Sequence, residues 1–125
     1  MFDDFVETMT RGDTHRIRFT VTINNVAEPI TDWDKFWFTA KRHSSQPDIE
    51  ALIALTTPEA SGIDKVDPEN GVLEVLIAPA STELIALGTH LRLVADLQGR
   101  DPNGDIFTLA KGTLVIEPDV TIGAT

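Results

Sequence analysis

Asp101, Asn103 and Asp105 are spaced like the first three ligands of a calcium-binding loop. Such a loop needs glycine at its sixth position and a bidentate glutamate at its twelfth. Here those positions hold Ile106 and Gly112, so the segment reads as a hairpin turn. His15, His43 and His90 are scattered, without the His-x-x-x-His spacing that puts two imidazoles on one helix face. Arg11-Gly12-Asp13 spells an integrin-type adhesion tripeptide, yet it stands just before a strand, where Gly and Asp make a turn. Serine nucleophile elbows, phosphate-cradling glycine loops and paired-carboxylate motifs are absent from the sequence. The expectation is a non-enzymatic protein with no catalytic residues, no cofactor and no metal.

The two tryptophans are more informative. Trp33 precedes a strand and reads as core or as a lid over its edge. Trp37 alternates with Phe36 and Phe38, so if the phenylalanines point inward, Trp37 points outward. An outward Trp is covered either by a loop of its own chain or by another protein, since aromatic residues dominate interface hot spots.

The elements that would hold these residues are strands. Thr14–Ile23 alternates Ile17, Phe19, Val21 and Ile23 with Arg16, Arg18, Thr20 and Thr22, and Asn24-Asn25 closes it as a turn. Lys35–Arg42 follows, with Phe36, Phe38 and Ala40 on one face. Further strands are expected at Ala51–Thr56, Gly62–Val66 and Val72–Ile77, the last after the turn Asp67-Pro68-Glu69-Asn70-Gly71. Pro79–Leu87 predicts a helical turn capped by Ser81 or Thr82 and stopped by Gly88. His90–Gln98 and Ile106–Ile116 form a hairpin, with Gly112 as a bulge or a point of close approach. Six or seven short strands in about 110 residues predict an all-β sandwich of antiparallel strands. Its expected core is Ile17, Phe19, Val21, Phe36, Phe38, Leu73, Val75, Leu91, Leu93, Leu114 and Ile116.

Residues 1–10 stand apart from residues 11–125. Phe2, Phe5, Val6 and Met9 have the spacing of one helix face, on a segment too short to be stable alone. It packs either on its own domain or on a neighbouring subunit. Burial of that apolar set, together with the face around Trp37, makes Phe2, Phe5, Val6, Met9 and Trp37 the candidate protein interface.

Composition narrows the partners. The chain has 125 residues, twenty acidic and ten basic, for a formal charge of −10. That balance counts against nucleic acid and against anionic membranes, both of which attract cationic surfaces. It also favours a soluble monomer until a complementary surface captures it. Zero cysteines exclude disulfides, thiolate metal sites and a cysteine nucleophile. Met1-Phe2-Asp3-Asp4-Phe5 has no positive n-region, so neither a signal peptide nor an anchor is expected.

Several segments together carry a family resemblance. They are Arg11-Gly12-Asp13-Thr14 before Ile17-Arg18-Phe19-Thr20-Val21, and Ile30-Thr31-Asp32-Trp33 before Trp37-Phe38-Thr39-Ala40-Lys41-Arg42. After them come Asp67-Pro68 with Gly71, Pro79 with Thr82-Glu83-Leu84, Phe107-Thr108-Leu109-Ala110-Lys111-Gly112, and Asp119-Val120-Thr121. In this order, over residues 11–121, the chain resembles the immunoglobulin-like domain of tailed-phage virion proteins. The likeness is greatest to the N-terminal domain of baseplate upper proteins, with related domains in head-fibre and neck or tail accessory proteins. The resemblance implies an immunoglobulin-like fold of about seven strands and a virion structural role, after a period in the host cytoplasm. Implied partners are capsid or tail/baseplate proteins, and further copies of the chain as a homo-oligomer in the particle. Many relatives continue into a fibre or receptor-binding region, which favours a small adaptor or decoration module here. The alternative is a carbohydrate- or host-receptor-binding sandwich with Trp37 as a stacking platform.

Overall fold

The computed structural model describes residues 3–45, 47, 51–83, 85 and 89–119. Among the described residues ten strands run in chain order: β1 Asp3–Thr10, β2 His15–Thr20, β3 Thr22–Ile23, β4 Val26–Ala27 and β5 Lys35–Lys41. β6 Ile53–Thr56, β7 Ile63–Asp67, β8 Val72–Ile77, β9 Leu91–Arg100 and β10 Ile106–Glu117 follow. A five-stranded sheet has the order β1-β10-β9-β5-β6, and a three-stranded sheet the order β2-β8-β7. The second order and the run β10-β9-β5 are the B-E-D and G-F-C arrangements of an immunoglobulin-like sandwich. Among the described residues the strands pair antiparallel except β1 with β10, which is parallel, as is an isolated bridge between Thr56 and Gly62.

Alternation decides which side chains enter the core. On β5 the buried set is Phe36, Phe38 and Ala40; on β9 it is Leu93, Ala95 and Leu97. Across the gap β2 and β8 contribute Ile17, Leu73, Val75 and Ile77, while β7 adds Ile63. The expected core residues are buried apart from Phe19 and Leu91, which are half-buried against it. Trp33 is core: it is 5% exposed and stacks on Phe36 with ring centroids 5.7 Å apart. Gly99 makes room for that stack, because a Cβ there would lie 2.8 Å from Phe36 Cε1 and 2.9 Å from Trp33 Cζ3.

The N-terminal segment departs from the sequence-based expectation. Residues 3–10 form neither a helix nor a separate arm. They are β1, with Asp3 to Thr10 in register with Ala110 to Glu117. The relevant period is two: Phe5, Glu7 and Met9 face inward, and Asp4, Val6 and Thr8 face out. Val6 completes the helical spacing only by chance. β10 offers an open edge whose backbone groups need partners, and a segment too short for a stable helix gains those hydrogen bonds as a strand. Phe5 then joins Phe19 edge-to-face at 5.4 Å, and both lie 6.3 Å from Phe38.

Other local differences have plain causes. Asn24 and Asn25 both adopt positive φ (52° and 65°), so β3, the end of the first long strand expected, turns back on β4 as a two-residue hairpin. Pro79–Ser81 is a single 3₁₀ turn, and two more occur at Glu59–Ser61 and Pro68–Asn70. Neither Ser81 nor Thr82 caps its N-terminal end; Thr82 is its C-terminal cap, donating its N–H to the Pro79 carbonyl at 3.2 Å. Ala78 stands at its N-terminal end, and the Thr82 hydroxyl instead accepts a 2.8 Å hydrogen bond from the Gly12 N–H. Leu84, Leu87 and Gly88 lie outside the described residues. The β10 bulge falls between Thr108 and Ala110, while Gly112 is the point of close approach to β1.

Candidate protein interface

The five interface residues separate once the strands are assembled. Met9 is 4% exposed and Phe5 is half-buried, so the sandwich already covers both. Phe2 lies outside the described residues. Val6 is 70% exposed and Trp37 is half-buried; both point outward from the same five-stranded sheet, on β1 and β5.

Register builds the surface between them. One row of outward residues runs Val6–Thr113–Val94–Lys41, and the next runs Asp4–Lys111–Asp96–Thr39. A third places Thr108, Gln98, Trp37 and Thr56 side by side. At the edge of the face Ile106, 57% exposed, is opposite Arg100, which is opposite Lys35. Val6, Val94 and Ile106 are three of the large exposed apolar residues of the chain. A cleft of about 640 Å³ opens on this face across β1, β10, β9 and β5, with Ser44 at its margin.

Trp37 is held by cations. Lys35 Nζ lies 5.5 Å and Arg100 Cζ 5.7 Å from its ring centroid, within cation–π range. Arg100 is also ion-paired with Asp34. The indole is therefore an ordered platform at one end of the face.

The sequence motifs that suggested other chemistry are occupied structurally. Asp101 Oδ1 accepts from the N–H groups of Asn103 (3.0 Å) and Asp105 (2.9 Å), which makes it the organiser of the β9–β10 turn. Arg11 Nε donates to Asp119 at 2.8 Å, and its Nη1 donates to the Ile85 carbonyl at 2.9 Å. That guanidinium holds the Asp119 carboxyl below the usual carboxylate range, chiefly by hydrogen bonding. His15 pairs with Glu7 at 2.9 Å and His90 with Glu117 at 3.3 Å. Among the described residues no three His, Cys, Asp or Glu side chains converge as a metal site would require.

Sequence reasoning found Val6 and Trp37 but missed Val94, Ile106, Arg92 and Lys111 on the same face. Alternation marks each as outward on its own strand. Only the strand order shows that they share one face.

No protein-family model and no curated protein matches the chain. Among solved structures it is similar to AggA, the major subunit of aggregative adherence fimbriae type I from Escherichia coli. The identity is 15%, over 91% of this chain and 89% of that one, with a TM-score of 0.27. At that score the likeness carries no argument about function.

Proposed function

We propose that the chain is a non-enzymatic structural module of a tailed-phage virion, built into the capsid or the tail/baseplate by protein–protein contact. The single observation that supports this reading is the outer face of the five-stranded sheet. There Val6 and Trp37, singled out on separate sequence grounds, share one outward surface with the exposed Val94 and Ile106. Exposed apolar residues interleaved with charged and polar ones on one sheet face fit a non-obligate protein contact. The order of motifs along residues 11–121 supplies the virion context. The rival sugar-stacking role for Trp37 is less well supported, because Lys35 and Arg100 already lie over the ring.

The test is incorporation. In the reading proposed here, purified particles contain the chain, at hundreds of copies for a capsid position and roughly six to eighteen for a neck or baseplate ring. Val6→Asp combined with Trp37→Ala is expected to melt within a few degrees of the wild type yet to enter particles at least tenfold less. Normal incorporation of that folded double variant would reject the reading.

A further inference from the structure

The same face carries an unusual charge. Its outward positions hold Lys35, Lys41, Arg92, Arg100 and Lys111 against Asp4, Asp96 and, at the far end, Glu117. That is a net +2 in a chain of −10, leaving five cations and seventeen acids for everything else. Among the described residues Arg92 and Lys111 enter no ion pair, and both are exposed.

The acids collect elsewhere. The loops after β4, β7 and β9 meet at one end of the sandwich, where the Ile30 N–H donates to the Pro68 carbonyl and the Asp34 N–H to the Arg100 carbonyl. That end presents Glu28, Asp32, Asp67, Glu69, Asp101 and Asp105. Lys65 lies beneath it with its ammonium already bonded to the carbonyls of Thr31 (3.3 Å) and Trp33 (3.1 Å).

We propose that the outer face of the five-stranded sheet docks the acidic loop end of a second copy of this chain, in a head-to-tail contact. The inference rests on reading this face as a protein contact, and it names the occupant. Charge complementarity selects that geometry: face against face would bring two net-positive surfaces together, whereas face against loop end sets Arg92 and Lys111 against carboxylates. The area suffices. Five strands about 4.8 Å apart, with outward residues about 6.7 Å apart along each, give a face of about 600 Å². Both partners together then bury about 1,200 Å², the lower limit of a specific interface. A head-to-tail contact has different surfaces on its two sides, so it propagates into a ring or a filament. The overall repulsion between −10 bodies acts over long distances and is screened beyond about 8 Å at physiological ionic strength, whereas charges in contact are screened less. Association is therefore strongest at intermediate salt.

Sedimentation equilibrium of the full chain, at concentrations up to about 1 mM, tests this at low, physiological and high ionic strength. The wild type is expected to self-associate most near 0.15 M salt and less both below and well above it. A face variant, Arg92→Ala with Lys111→Ala, and a loop-end variant, Asp32→Ala with Glu69→Ala, alter exposed residues only. Each alone should associate at least tenfold more weakly, and their mixture should form a one-to-one complex, since each retains the surface the other lacks. A wild type that stays monomeric at every salt concentration overturns the proposal, as does a mixture that remains monomeric. Binding of duplex DNA by the face while copies stay apart would overturn it in favour of another occupant. If self-association fails while the Val6 and Trp37 double variant is still excluded from particles, the contact reading stands and only the occupant is wrong.

Discussion

Replacing Gly112 with alanine tests whether β1 belongs to the sandwich. Gly112 sits on β10 opposite Phe5. A Cβ there would overlap the Phe5 carbonyl oxygen and would lie 2.8 Å from both the Phe5 carbonyl carbon and its Cγ. Backbone cannot yield as a flexible side chain does, so β1 must shift along much of its length. Overpacking of this kind costs about 1–3 kcal/mol if the strand stays attached. If β1 leaves the sheet, the burial of Phe5 and Met9 is lost, worth about 1.5–3 kcal/mol for each side chain if fully buried. Phe5 is only half-buried, and the freed strand regains conformational entropy, so the net lies below that sum. A destabilisation of about 2–4 kcal/mol is expected, a fall in Tm of about 8–15 °C at this chain length. Urea denaturation gives the free energy, and amide hydrogen exchange locates it. Amides of residues 3–10 should lose protection while those of β5 and β9 keep theirs. A Gly112→Ala protein that melts within about 2 °C of the wild type with β1 still protected would refute the reasoning.

Phe38 is fully buried between Phe5 and Phe19, so Phe38→Ala should cost about 3–5 kcal/mol in urea denaturation. Asp119, whose ordinary value is 3.8, is held lower in the folded chain by Arg11. Its contribution to stability is therefore complete above the unfolded value and disappears as pH falls through the lowered folded one. Thermal melts from neutral pH to about pH 2.5 should show a shallower acid limb for Asp119→Asn than for the wild type. Adding a chelator should leave Tm unchanged within a few degrees, because a bound ion would contribute stability that chelation removes.

The sandwich was legible in sequence wherever one face of a strand is buried and the other wet. Such strands print a period of two, as in Phe36-Trp37-Phe38 and Leu91-Arg92-Leu93, and the turn residues Asn24-Asn25 and Asp101–Gly104 mark where the chain reverses. The same logic assigns Trp37 outward, but the face around it follows only from the strand order. Trp33 was not assignable, because a residue before a strand has no alternation to read. Its burial follows from the ring of Phe36 and the missing side chain of Gly99, which is 66 positions away. Phe2, Phe5, Val6 and Met9 misled for a related reason. In a short segment a helical spacing and a strand spacing share members, and only a free edge on β10 selects the strand. Composition established that the chain is acidic. The strand order alone decided that five of its ten cations share one sheet face, since register between distant strands depends on backbone pairing that single-strand patterns do not encode.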